Sequence, residues 1–124
     1  MDKKAAVVIA GISLFLLAGG FFIVMQSQKP AITGLDDFAK CLDQKGAVMY
    51  GAYWCSHCQS QKKTFGDSFK FIKYVECTQQ TQLCQEKNVS GYPTWEFADG
   101  TKLEGEQPLD QLSKTTGCQL PQTK

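Results

Sequence analysis

Cys55-Ser56-His57-Cys58 is the stretch whose residue types and spacing could carry chemistry. Two thiols three positions apart come together when they open a helix. The first then sits among free backbone N–H groups at the positive helix end, which stabilise its thiolate. The second lies one turn inward, where it can attack back on a mixed disulfide. The chemistry this allows is thiol–disulfide exchange. His57, the only histidine, adds a positive charge or a hydrogen-bond donor beside the Cys55 thiolate. Stabilising that thiolate stabilises the reduced pair and makes its disulfide the better oxidant. A CxxC can also be half of a zinc site. The other half would have to be Cys77 and Cys84, whose spacing does not suit a zinc knuckle, so no metal is expected.

The elements that must position this pair follow from periodicity. Leu35, Phe38, Ala39 and Leu42 have helical spacing, and Gly46 closes that segment. Residues 47–53 are a nearly uncharged, β-favouring run, as in a buried central strand, and they lead straight into Trp54-Cys55. Residues 59–71 are polar, with Phe65 and Phe69 four apart, which predicts one helix packed on one face. Residues 72–77 alternate as a half-buried strand does, residues 79–87 predict a short helix, and Gly91-Tyr92-Pro93 is a break. Residues 94–97 and 101–104 read as a hairpin around Asp99-Gly100, and Pro108 and Gly117 bracket a closing helix. Phe65, Phe69, Trp95 and Phe97 are expected in the core. This order predicts an α/β fold with a small mixed sheet.

Charge is distributed unevenly along the 124 residues. Residues 5–25 carry no charged side chain, and the soluble remainder is nearly neutral and contains lysine but no arginine. With no basic cluster and no guanidinium fork, nucleic acid is not expected as a partner. As a helix the 21-residue run would be about 31 Å long, enough for a hydrocarbon core of about 30 Å. The competing reading is a cleavable signal peptide, but the run ends in Phe21-Phe22-Ile23-Val24-Met25, a poor cleavage site, and no cysteine close behind it offers a lipid anchor. Lys3 and Lys4 precede the run and Lys29 follows it, which orients the N-terminus to the cytoplasm and residues 30–124 to the periplasmic or extracellular side. Six cysteines point to the same oxidising compartment. The expected organisation is a cytoplasmic N-terminus at 1–4, a transmembrane signal anchor at 5–25, a linker at 26–34, one domain at 35–118 and a tail at 119–124.

Tyr53-Trp54-Cys55-x-x-Cys58, followed later by Gly91-Tyr92-Pro93-Thr94, resembles a thioredoxin-fold domain. More narrowly, the run from Met49 to Cys58, Phe65-Gly66, Tyr74-Val75-Glu76-Cys77 and Tyr92-Pro93-Thr94-Trp95-Glu96 resemble the thioredoxin-like domain associated with bacterial vitamin K epoxide reductase homologues. The similarity covers residues 38–118. It implies Cys55 as attacking cysteine, Cys58 as resolving cysteine, and a cis Pro93 that, with Tyr92 and Trp54, forms the substrate-binding edge. It also implies disulfide traffic with a quinone-linked membrane oxidoreductase. Two positions depart from the pattern. Ser56-His57 stands where this subfamily usually has Pro-His. Met49 stands where ordinary thioredoxins carry a buried aspartate that takes the proton from the resolving cysteine, and the sequence does not choose between Glu76 and Glu96 as its replacement.

With Cys55 and Cys58 reserved for exchange, four cysteines leave three pairings. Cys77 ends a strand and Cys84 lies in the next short helix, which makes them local partners. The resemblance puts the first and last helices on one side of the sheet, so Cys41–Cys118 is the expected second staple. The expected function is a membrane-anchored extracytoplasmic thiol–disulfide oxidoreductase acting on exported cysteine-containing proteins and reoxidised by a vitamin K epoxide reductase-like membrane partner. Two alternatives stand beside it: a thiol reductant for a dedicated client, and a non-catalytic stapled interaction module. No cofactor is implied beyond the cysteine pair itself.

Overall fold

Helix α1 (Leu35–Gln44) buries Leu35, Phe38, Ala39 and Leu42 along one stripe and places Asp36 and Asp37 in its first turn, where the helix dipole favours acids. These are the first residues described by the computed structural model, which covers 35–122. The residues expected to form the cytoplasmic N-terminus, the anchor and the linker lie outside that range. Among the described residues no helix is long and apolar enough to cross a membrane. Gly46, in the left-handed region at φ 77°, turns the chain into β1 (Val48–Gly51). A Cβ there would come within 3.0 Å of the Ala98 Cβ, so the turn needs glycine twice over.

Four strands form one sheet in the order β2-β1-β3-β4. Strand β2 (Lys73–Glu76) runs parallel to β1, which requires a crossover. The crossover is helix α2 (Ser56–Phe65) and a 3₁₀ segment (Gly66–Phe71). The single helix expected over 59–71 is thus two pieces, and the first of them starts at Ser56, with the CxxC opening it as expected. Gly66 makes the break: at φ 55° it ends the α-helix while its N–H still bonds the carbonyls of Lys62 and Lys63. After β2 come α3 (Thr81–Glu86), then the antiparallel pair β3 (Thr94–Glu96) and β4 (Lys102–Glu104), and finally α4 (Leu109–Thr116), ended by Gly117 in the left-handed conformation.

Strand alternation separates two apolar clusters. Met49 and Trp95, paired across β1 and β3, belong to the larger one with Phe38 and Leu42 of α1, Phe65 of α2 and Leu112 of α4. Tyr50 and Val75, one residue along each strand, belong to the smaller one on the other face, with Cys77 and Cys84. Disulfides tie both regions. Cys41 of α1 is bonded to Cys118 just past α4, and Cys77 at the end of β2 to Cys84 of α3, each with Cα atoms 5.8 Å apart. The described residues form an α/β fold with a small mixed sheet, as the order of elements predicts.

Candidate active site

Cys55 and Cys58, the two free thiols, sit where β1 ends and α2 begins. Cys55 is the N-cap of α2, with extended backbone, and its sulfur accepts a hydrogen bond from the Cys58 N–H at 3.2 Å. A cap position normally taken by serine or aspartate is here filled by a sulfur, which accepts where a cap oxygen would. Cys58, one turn in, is fully buried at 0% exposure, whereas Cys55 retains 7%. Burial, then the hydrogen bond with Cys55, pushes the Cys58 thiol up to about 12. The two sulfurs are therefore unequal: one touches solvent at a helix start, and the other is held as a protonated thiol behind it.

The rim is aromatic and exposed. Tyr53 is 68% and Trp54 62% exposed, in contrast to the buried Trp95. Trp54 meets Tyr92 edge to face at 5.9 Å between ring centroids, which brings the Tyr92-Pro93 edge beside the cysteine pair. The Tyr92–Pro93 peptide is cis, and Pro93 is buried. The carbonyl of Pro93 accepts from the Gly105 N–H at 2.7 Å, so the turn after β4 secures this edge. Exposed aromatic surface next to a reactive thiol suits an unfolded or extended peptide substrate.

Two residues that sequence reasoning did not single out help build the site. His57 projects into solvent, its side chain 72% exposed, with Nδ1 3.5 Å from Glu106 Oε2. Ser60 donates to the other Glu106 oxygen at 2.6 Å. Glu106 is held there by Gln61, a fully buried polar side chain of α2. The Gln61 amide donates to the Gln107 carbonyl at 3.0 Å, and its oxygen accepts from the Gln107 N–H at 2.7 Å and from the Trp95 indole at 3.2 Å. A buried amide with both its nitrogen and its oxygen hydrogen-bonded pins the loop after β4 against the helix that carries the cysteines. Gln61 was legible only as a polar helix residue, and Glu106 only as one of several loop acids.

The two glutamates that were candidates to replace the aspartate lie on opposite faces of the sheet. Glu96 shares its face with Tyr50, away from Trp95, and is engaged by Lys87 at 2.9 Å and Lys102 at 3.8 Å. Glu76 lies on the Gly51 and Tyr74 face. It accepts from the Tyr74 hydroxyl at 2.8 Å, the Tyr53 N–H at 3.2 Å, and the Thr78 hydroxyl at 2.8 Å. Burial alone would raise its carboxyl, but hydrogen bonds from Thr78, Tyr74 and the Tyr53 N–H hold it below its ordinary value.

The thioredoxin family model matches residues 31–116. The thiol-disulfide oxidoreductase LTO1 of Arabidopsis thaliana is 42% identical over 93 residues, covering 68% of this chain and 24% of its own length. The thioredoxin domain-containing protein 5 homologue of Drosophila melanogaster is 39% identical over 106 residues, covering 71% of this chain and 25% of its own. The protein disulfide isomerase-like 2-2 of Oryza sativa subsp. japonica is 34% identical over 86 residues, covering 58% and 23%. The chain thus spans about a quarter of the length of each of these relatives. With the family model covering more than half of its residues, this chain belongs to the thioredoxin family.

Proposed function

We propose that this chain is a membrane-tethered, extracytoplasmic thiol–disulfide oxidoreductase that forms or shuffles disulfides in exported proteins. The observation that carries the reading is the asymmetric pair: Cys55 capping α2 with solvent access, and Cys58 fully buried behind it. Relatives named as a thiol-disulfide oxidoreductase and as a protein disulfide isomerase support the same chemistry.

In the donating direction a substrate thiolate attacks the Cys55 sulfur of the oxidised pair, and the Cys55–Cys58 bond breaks with its electron pair leaving on Cys58, which takes a proton. A second substrate thiolate attacks the substrate sulfur of the mixed disulfide and expels Cys55 as a thiolate. The substrate loses two electrons and gains a disulfide, and the pair is left reduced. The Trp54–Tyr92 rim holds the peptide while this happens. The histidine between the two cysteines, in the first turn of α2, supports the donating direction.

The tether is the uncharged run at 5–25, and two structural disulfides suit an oxidising compartment. We assign reoxidation to a quinone-linked membrane oxidoreductase of the vitamin K epoxide reductase type, on the motifs shared with the thioredoxin-like domain associated with it. The test is the full chain carrying Cys58→Ser, expressed in cells. It should accumulate covalent adducts with exported cysteine-containing proteins that dissolve on reduction and vanish when Cys55 is also replaced. Adducts confined to cytosolic proteins, or none at all, would refute the proposal.

A further inference from the structure

His57 and the Cys55 sulfur, two residues apart in the chain, are turned to different partners. The sulfur takes its hydrogen bond from the Cys58 N–H at 3.2 Å, while the imidazole Nδ1 stands 3.5 Å from Glu106 Oε2. A side chain that is 72% exposed has little packing to hold it. Its first torsion has three staggered wells, so the ring can reach more than one place around the start of α2. The Glu106 carboxylate decides which of them it keeps.

Glu106 is able to decide because the loop after β4 is fixed on both sides of it. Gly105, at φ 85°, donates its N–H to the Pro93 carbonyl at 2.7 Å. The Gln107 N–H and carbonyl both bond the buried Gln61 amide, and the Gln107 side chain donates to the carbonyls of Glu104 and Gly105. Ser60 then fixes the carboxylate itself, at 2.6 Å, through the oxygen that His57 does not use. Ser60 and Gln61 both belong to α2, so the helix that carries the cysteines also grips the acid. An exposed ion pair is usually weak because two side chains must be ordered at once. Here the carboxylate is ordered beforehand, and only the histidine remains to be placed.

We propose that Glu106 is the positioning residue of His57: it draws the imidazole onto the loop after β4 and keeps it off the Cys55 sulfur. This role rests on the oxidoreductase reading above. In the exchange that it tunes, a substrate dithiol loses two electrons and two protons and closes to a disulfide. The Cys55–Cys58 bond takes up the two electrons and opens, one proton going to Cys58 and one to Cys55 or the imidazole beside it. A positive or hydrogen-bonding group on the Cys55 sulfur favours the opened pair, and the imidazole is the side chain within the motif that can supply it. Contact with Glu106 and contact with Cys55 are exclusive positions of one ring, so populating one empties the other. Glu106 therefore holds the pair less oxidising than the same histidine would make it if released.

The experiment is a double-mutant cycle on the full chain, with the wild type, E106Q, H57A and the double variant each equilibrated against reduced and oxidised glutathione. Glutamine keeps the shape of Glu106, and its side-chain oxygen can still accept from Ser60, so the loop stays in place. E106Q should shift the equilibrium towards the reduced pair by about two- to fivefold, the range of an exposed ion pair. In the H57A background the same substitution should shift nothing, because the ring it releases is gone. An equal shift in both backgrounds would overturn the proposal, since the carboxylate would then act by its own charge and not by placing His57. No shift in the wild-type background, or a shift towards the oxidised pair, would overturn it as well. A wild-type pair that failed to equilibrate with glutathione would instead overturn the oxidoreductase reading.

Discussion

Replacing Cys55 with serine is expected to lower thiol–disulfide exchange by on the order of a thousandfold or more, measured as the rate at which the oxidised chain restores disulfides to a reduced model protein. Cys55 is the α2 N-cap, and its sulfur receives the Cys58 N–H. A serine oxygen would keep that hydrogen bond and cap the helix at least as well, so the fold should be retained. What disappears is the only sulfur in the pair that has solvent access. Cys58 cannot take over, because it is fully buried and held as a thiol. A Cys55→Ser protein that retained more than a tenth of the activity would place the chemistry elsewhere.

Removing the Cys41–Cys118 disulfide by a paired alanine substitution is expected to cost about 4.5 kcal/mol, against about 2.5 kcal/mol for Cys77–Cys84. The difference comes from loop length, since the first bond closes a separation of 77 residues and the second only 7. A domain of this size is stable by roughly 5–15 kcal/mol, so the longer staple is a large share of the whole. It also joins α1 to the end of α4, two elements that both pack on the apolar cluster around Phe38, Trp95 and Leu112. Urea unfolding of the full chain and of each paired variant gives both numbers. If the loss of Cys41–Cys118 were the smaller, the loop-entropy account would be wrong.

Much of this was legible before the structure, where a local rule decided the matter. A nearly uncharged, β-favouring run over 47–53 and alternation over 72–77 marked two strands, and the CxxC between strand and helix marked the reactive pair. Local rules also mark where legibility stopped. Phe65 and Phe69 are four apart, which reads as one continuous helix, yet Gly66 between them takes a positive φ and splits it. The choice between Glu76 and Glu96 depended on strand register, and register is set by pairing between segments far apart in the chain. Tyr74 looked like a strand aromatic. Only the structure shows that its hydroxyl and the Cys58 sulfur both border the space beside Gly51. Glu106 comes to His57 from a loop held by Gln61, a contact that no periodicity encodes.

The measurement that tests the central claim most directly is the reduction potential of Cys55–Cys58, obtained by equilibrating the full chain against glutathione. A disulfide donor requires a pair at or above about −200 mV, towards the oxidising end of the thioredoxin-fold proteins. That is the value the account predicts, for a pair whose first sulfur caps α2 and whose motif carries a histidine. A value near about −270 mV would contradict it and make the chain a reductant.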